Sequence, residues 1–332
     1  MKKILIFAVI LVIAVLPFAG CSKTDDTIRI NEVTHSLFYA PFYLADSLGL
    51  FEQNGINIEL TNGGGSDASM TALLSGNADV ALCGPETTIY VYQQGKQDYP
   101  MVFGQLTKRD GAFLVGRNFE PDFDWSGLEG KTVIMGRRGG MPAMTLQYIL
   151  NRHGYTDGQN ITMDYSVQFN MLAPTFASGV GDYVTLFEPT ATQIELQGSG
   201  HIVASIGQEG GEVPYTCFAA SQSYIRKNAK TLETFLKCVH EATLWLLSND
   251  NLTVAEKLLD AFPGTDVKDL ANAIGNYRAA DSWKTTPSMT KESFARLQDV
   301  MENAGELTQR VEFEKLIDNS IADKITLSFF FD

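Results

Sequence analysis

Cysteine and basic residues are both scarce in this sequence of 332 residues. Apart from Cys21 near the N-terminus, the chain has only Cys83, Cys217 and Cys238, an odd number without metal-ligand spacing. This excludes a disulfide framework and predicts three buried thiols and no metal site. Lysine and arginine number 25 against 39 acidic residues, which gives a formal net charge of -14. Such a surface repels phosphate backbones, which argues against nucleic acid as a partner.

The N-terminus has the parts of a secretion signal. Two lysines precede an apolar run over residues 4–19, which ends just before Cys21. The run is shorter than the roughly 20 residues of a membrane-spanning helix, so residues 1–20 are predicted to be a cleaved signal peptide. The ending resembles the lipobox of bacterial lipoproteins, although Phe18 stands where Leu or Val is usual. We expect a lipidated cysteine and a linker over 21–27; the alternative is simple secretion with an unmodified cysteine.

The mature chain, about 300 residues, exceeds the size at which single cores stop growing. From residue 28, strand-like apolar runs alternate with amphipathic segments, the pattern of a largely parallel sheet covered by helices. We therefore expect an α/β fold of two lobes. The first is formed by residues 28–112 plus 218–332 and the second by 113–217, and the two strands that cross between the lobes form a hinge.

Three element boundaries are specific expectations. Ser66 is expected to cap a helix over 66–75, and a strand is expected over 161–167. A helix is expected over 267–283, within a C-terminal part that is predicted to be helical.

The loops that follow the strands are the candidate binding site, because ligands of parallel sheets lie beyond the carboxyl ends of the strands. The first loop, residues 34–43, is rich in aromatic side chains, which suits a flat ligand. Its candidate contacts are Ser36, Phe38 and Tyr39. Phe42 lies four residues after Phe38, and this helical spacing favours a place in the core for Phe42.

The next two loops place glycine before a helix. Gly63–Gly65 lies in a G-x-G-x-x-A pattern, but no acidic residue ends a following strand at the distance that a dinucleotide site needs. The free N–H groups around Gly64 are the expected contact for a polar or anionic group. In the third loop, Gly84 and Pro85 lead into a helix whose first turn contains Glu86. This acid is either a ligand contact or a favourable helix start, and the sequence leaves both open.

The second lobe repeats the glycine-rich turn and adds two arginines, at residues 136–142. One guanidinium is the expected anion contact; the alternative is that both are solvated and only the backbone binds. An acid at the strand end near residue 188 would repel a simple oxyanion and accept hydrogen bonds from amino or ring N–H groups. The candidates from this lobe and the hinge are Arg137, Gly139, Gly140, Met141, Asn170, Glu188 and Tyr215.

Signatures of common enzymes are missing. The histidines show no H-E-x-x-H pattern, no G-x-S-x-G occurs, and residues 127–132 fail as a phosphate loop because Trp125 occupies the first glycine position. His35 is the only histidine near the expected cleft, and one residue makes no catalytic constellation. We therefore predict no catalysis and no cofactor.

Several of these stretches together resemble the solute-binding proteins of nitrate, sulfonate and taurine type ABC importers, which include relatives that bind thiamine pyrimidine precursors. The likeness covers essentially the whole mature chain and is densest at residues 38–51, 63–65, 72–80 and 84–86. It is looser in the second lobe. The resemblance implies a type II periplasmic-binding-protein fold, capture of a solute by lobe closure, and a permease with its ATPase as partners.

The resulting prediction is a monomeric, extracytoplasmic lipoprotein, held at the membrane through its lipid alone, that binds a small organic solute. An aromatic heterocycle such as a pyrimidine, or a sulfonate, is the expected class. A neighbouring branch of the family synthesises the thiamine pyrimidine with a cysteine-rich motif in the second lobe, where this chain has residues 187–189, Phe-Glu-Pro. A synthase is therefore disfavoured, and the sensor subunit of a signalling system is a further alternative.

Overall fold

The structure, a computed structural model, describes residues 26–331. The predicted signal peptide and Cys21 lie outside the described residues. The described residues form ten strands: β1 (Asp26–Glu32), β2 (Ile56–Asn62), β3 (Val80–Cys83), β4 (Pro100–Gln105), β5 (Phe113–Gly116), β6 (Thr132–Ile134), β7 (Thr162–Asp164), β8 (Tyr183–Leu186), β9 (His201–Ser205) and β10 (Cys217–Ser221).

Helices cover both sheets and make up most of the chain after β10. Within residues 26–331 the α-helices are α1 (Ala40–Ser47), α2 (Leu50–Gln53), α3 (Ser66–Leu74), α4 (Glu86–Gln93), α5 (Met141–Arg152), α6 (Leu172–Ala177), α7 (Thr190–Leu196), α8 (Ile206–Gly210), α9 (Gln222–Lys227), α10 (Ala229–Ser248), α11 (Asn251–Leu258), α12 (Val267–Ala279), α13 (Lys291–Asn303), α14 (Phe313–Leu316) and α15 (Ala322–Phe331). No helix in this part of the chain is both long and apolar enough to cross a membrane.

The two sheets share one plan. The first has the strand order β2-β1-β3-β10-β4 and the second β7-β6-β8-β5-β9. In each sheet the first three strands are parallel, and the fourth is antiparallel and comes from the segment that crosses from the other lobe. The predicted two-lobed α/β fold with two crossing strands is therefore confirmed, whereas the lobe boundaries proposed above stay a prediction.

The first lobe has an aromatic core. Phe42, Phe51, Phe103, Phe218 and Phe235 pack with ring centroids 5.1 to 6.5 Å apart. Each is at most 2% exposed, and full burial of such a side chain contributes about 1.5–3 kcal/mol. α10 packs against α1 across this cluster, so the C-terminal helices belong to the core of the first sheet. Phe42 has the core position that its spacing favours.

The three expected boundaries differ from the structure. Gly65 holds the N-cap position of α3 and no side chain caps this helix, so Ser66 is the first helical residue rather than the cap. The strand expected over 161–167 is limited to β7, because β6 pairs with it over only three residues. The helix expected to reach residue 283 ends at Ala279. Asp281 has a φ of 52°, and the Ser282 N–H bonds the Tyr277 carbonyl at 3.1 Å, a pairing that ends helices.

Candidate solute-binding site

Glycine-rich turns of both lobes meet at one cavity. The turn after β2 leads into α3 and the turn after β6 leads into α5. Gly63 is required by close approach: a Cβ there would lie 2.6 Å from Asn31 Oδ1 and 2.7 Å from Ser69 Oγ. Gly64 and Gly139 have φ values of 74° and 75°, which favour glycine. The first turns of two helices therefore offer free N–H groups to the same space.

The cavity between these turns has a volume of about 70 Å³. Its wall combines loops that follow strands of both sheets with the segment that returns to the first lobe. Its lining includes Tyr39, Gly65, Ser66, Gly84, Met135, Arg137, Gly140, Met141, Phe169, Phe187, Tyr215 and Thr216. Six of the residues predicted from sequence line this cavity: Tyr39, Gly84, Arg137, Gly140, Met141 and Tyr215.

Aromatic rings form one continuous face. Phe187 lies 5.7 Å from Phe169 and 6.2 Å from Tyr215, between ring centroids. Phe38 is 1% exposed and packs behind this face, 5.8 Å from Phe187 and 5.6 Å from Tyr215. It therefore positions the lining rings rather than lining the cavity. Offset and tilted ring arrangements of this kind suit contact with a flat apolar group.

A second cavity adjoins the first and shares Phe169 and Phe187 with it. Ser36, Gly64, Asn170 and Glu188 line this second cavity. Gly139 lines neither and faces a depression next to Glu306. The structure thus divides the predicted contacts between two adjoining spaces and the outer surface.

Glu188 is held by the protein itself. Its carboxylate accepts hydrogen bonds from the Thr192 N–H and Oγ1, both at 2.9 Å, and from Asn276 Nδ2 at 2.6 Å. Its backbone carbonyl accepts a bond from Ser36 Oγ at 2.9 Å, which joins the two lobes, and its N–H donates to Tyr277 Oη at 2.9 Å. Burial raises the pKa of this carboxyl, and the Asn276 and Thr192 donors oppose that shift.

Glu86 has the opposite environment. It is 0% exposed, and neither carboxylate oxygen has a hydrogen-bond partner among residues 26–331. A Cβ on Gly84 would overlap the Glu86 carboxylate, so the glycine lets this side chain fold against the cavity wall. Burial raises the pKa of Glu86 to about 8. Its own backbone N–H, which does not reach hydrogen-bond geometry, and the charge of Arg137 only partly oppose this shift.

The two neighbouring arginines have different roles. Arg137 lines the cavity, its side chain is 43% exposed, and its Nη2 lies 3.7 Å from Asp67 Oδ1 across the cleft. Arg138 instead stacks on the Tyr165 ring at 3.9 Å. Among the described residues, Arg137 is thus the basic residue that lines the main cavity.

The nitrogens of His35 are both engaged. Nδ1 lies 3.1 Å from Glu32 Oε1 and Nε2 lies 2.6 Å from the Ala261 carbonyl. The hydrogen bond with Glu32 raises the pKa of this histidine. In this arrangement His35 joins the first strand's loop to the C-terminal helices.

Sequence reasoning missed the contribution of α12. Asn276 and Tyr277 reach the second-lobe loop at Glu188, and Trp283 Nε1 donates to the Phe38 carbonyl at 3.0 Å. Glu32 and Asp110 are buried acids that no sequence pattern predicted, and burial raises the pKa of Asp110 to about 8. In the sequence, α12 is an apolar helical stripe with scattered polar residues, and such a pattern does not indicate which distant loop these residues contact. No cluster of potential metal ligands occurs in residues 26–331.

Comparison with known proteins places this architecture. The family model described as "NMT1/THI5 like" matches residues 38–251. "Putative binding protein YtlA" of Bacillus subtilis (strain 168) is 40% identical over 310 residues, which cover 93% of each chain.

Among solved structures, the MOPS-bound alkanesulfonate-binding protein SsuA of Xanthomonas axonopodis pv. citri has a TM-score of 0.68 at 17% identity, covering 88% of this chain and 98% of that one. The periplasmic nitrate-binding protein NrtA of Synechocystis PCC 6803 has a TM-score of 0.70 at 15% identity, covering 91% and 88%. These two similarities concern the fold. The family match and the 40% identity together show that this chain belongs to the NMT1/THI5-like family.

Proposed function

We propose that this protein is the extracytoplasmic solute-binding subunit of an ABC importer and captures a small organic solute in the cavity between its lobes. The observation that carries the proposal is the meeting of two glycine-rich helix starts, one from each sheet, on one cavity with an aromatic wall. Closure of two lobes over a solute excludes water and binds it from both sides. The names of the compared proteins, a binding protein and two solute-binding proteins, support the same role.

The side chains that line the cavity indicate the chemical class of the solute. Phe169, Phe187 and Tyr215 offer ring faces, while Arg137 and the N–H groups of α3 and α5 offer donors. An organic solute with a planar, ring-containing part and an acceptor group fits both, as a pyrimidine or an aromatic sulfonate would. The lobes are proposed to divide at residues 112/113 and 217/218, with the chain a monomer.

Thermal unfolding with a metabolite panel tests this role. Pyrimidines, sulfonates, flavins and amino-substituted heterocycles are added singly, and a true ligand at 100 times its Kd stabilises the protein by about 2.7 kcal/mol. Arg137→Ala is expected to weaken a hit about tenfold or more. Arg138→Ala is the matched control. It removes the same charge from the next residue, whose side chain stacks on Tyr165 and does not line the main cavity. If no compound shifts the unfolding curve, the proposed role is contradicted.

Attachment to the membrane through acylated Cys21 completes the proposal. The apolar run before this cysteine supports it, and a multiply acylated residue suffices as an anchor where a single chain does not. Cys21→Ala is expected to release the protein into the medium with unchanged solute affinity. Retention of the variant in the membrane fraction would contradict the anchor.

A further inference from the structure

Four acidic side chains are buried around the cleft, and they differ in their partners. Glu32 bonds Tyr43 and His35, and Glu188 has three donors. Asp110 Oδ1 accepts from the Ala112 N–H at 2.7 Å. Of these four acids, only Glu86 has both oxygens without a partner in the described chain.

The Glu86 carboxylate lies directly behind the wall of the main cavity. This carboxylate contacts Gly84, which lines the cavity. Burial raises the pKa of Tyr39 and of Tyr215, which line the same cavity, and the charge of Glu86 adds to both shifts. A buried carboxylate without a partner is unfavourable, and a cation that pairs with it removes that cost. Within the described residues, Arg137 is the one cation whose charge acts on it, and Arg137 lies 3.7 Å from Asp67.

We propose that the solute presents a positively charged nitrogen to Glu86 while its acceptor group meets Arg137 and the N-terminal ends of α3 and α5. This inference rests on the proposed function and specifies its ligand: an amphoteric molecule with an ammonium or amidinium group. The charge-assisted bonds of such a pair are stronger than neutral ones and discriminate between an amine and its hydroxyl analogue.

The proposal predicts a proton exchange. At pH 7 burial keeps most of Glu86 protonated, since its pKa is raised to about 8, so binding of a cation ionises the acid and releases a proton to the buffer. Affinity then rises with pH, by at most about tenfold per unit, and levels off above pH 8. If Glu86 instead stayed protonated and donated to an uncharged solute, affinity would fall over the same range.

The groups that face Glu86 do not obscure this titration. They are Arg137 and five groups whose pKa values are all raised by burial, namely Tyr39, Tyr90, Tyr215, Cys83 and Cys217. Asp110, which acts on Tyr215, is the other nearby acid with a pKa raised to about 8. Asp110→Asn therefore separates its contribution from that of Glu86.

Matched pairs of probes test the proposal by calorimetry. They are 4-(aminomethyl)benzoate with 4-(hydroxymethyl)benzoate, 2-aminoethanesulfonate with 2-hydroxyethanesulfonate, and 3-aminopropanoate with 3-hydroxypropanoate, together with every hit from the metabolite panel. In the wild type the ammonium member is expected to bind at least about tenfold more tightly. In Glu86→Gln the two members should differ less than about threefold. Glu52→Gln, at an exposed acid of α2, is the control.

Calorimetric titration of the wild type in two buffers of different ionisation enthalpy measures how many protons are released on binding. This part of the test needs no variant. Release of close to one proton at pH 7 supports the proposal. Equal binding within pairs, panel hits without a basic nitrogen, or proton uptake would overturn it and leave solute binding intact. If neither the pairs nor the panel bind, the proposed function fails together with this inference.

Discussion

Two loops occupy the same place in the two sheets. β3 and β8 are each the third strand of their sheet, beside the antiparallel strand, and each is followed by an acid at the start of a helix. Glu188 is held by Thr192 and Asn276, whereas Glu86 has no partner in the described chain. The difference comes from Thr192 of α7, which donates two of the three hydrogen bonds, and from Asn276 of α12, which donates the third. One acid therefore stabilises the protein, and the other is available for the proposed ligand.

The comparison extends to the neighbouring strand pairs. In the first sheet Cys83 lies opposite Cys217, and in the second sheet Phe113 lies opposite Leu186 at the equivalent place. The first lobe has small, polarisable side chains beside its free acid, and the second has large apolar ones beside its bound acid.

Removal of the bound acid has the largest expected effect. Glu188→Ala breaks three hydrogen bonds and leaves Asn276 and Thr192 unpaired, so the free energy of unfolding should fall by about 3 kcal/mol. Glu188→Gln keeps an acceptor and should lose about half as much. Urea unfolding monitored by circular dichroism measures both, with Glu52→Gln as the control. A loss below about 1 kcal/mol in the alanine variant would contradict the role assigned to this carboxylate.

Removal of the free acid is expected to stabilise the protein. The pKa of Glu86 is raised to about 8 in the folded state, so its folded state binds more protons than the unfolded chain between pH 5 and 8, and stability falls as pH rises through that range. Glu86→Gln lacks this loss, so its free energy of unfolding should exceed that of the wild type by about 3 kcal/mol at pH 8 and by less than about 1 kcal/mol at pH 5. Thermal unfolding of both proteins across this pH range measures the difference in stability. A difference that does not change with pH would contradict a buried, titrating acid.

The hydrogen bond between the loop after β1 and the loop after β8 should have a smaller effect. Ser36→Ala removes the bond to the Glu188 carbonyl and the bond from the Phe38 N–H, which costs about 1 kcal/mol. Because one of these bonds crosses the cleft, the variant should also be more open in small-angle scattering. Ser75→Ala, whose hydroxyl bonds within a single lobe, is the control. An unchanged radius of gyration would show that this bond does not hold the lobes together.

Sequence reasoning reached the local features of the site and not the distant ones. Glycine before a helix and a strand-end acid are patterns within a few residues, so the sequence predicts Gly64, Arg137 and Glu86 as candidate contacts. Their contact with a solute stays a prediction. Whether an acid finds a partner depends on which helix packs over it, and Asn276 is 88 residues from Glu188. The prediction of Glu188 as a ligand contact rests on an acid at a strand end. Thr192, four residues later, is the local difference from Glu86, which has Tyr90 at the same spacing.

The smallest effect is expected for chemical labelling of Cys83 and Cys217, the two thiols near Glu86. Cys83 and Cys217 are each 1% exposed, and burial raises the pKa of Cys83 to about 12 and that of Cys217 above its usual range. Because the thiolate is the reactive form, neither should react measurably with a maleimide in the folded protein at pH 7, while both react in denaturant. Peptide mass spectrometry after timed labelling distinguishes the sites, and Cys238, buried under α2, is the internal comparison. Rapid labelling of Cys83 in the native protein would mean that the β3 loop opens, and Glu86 would then not be a permanently buried acid.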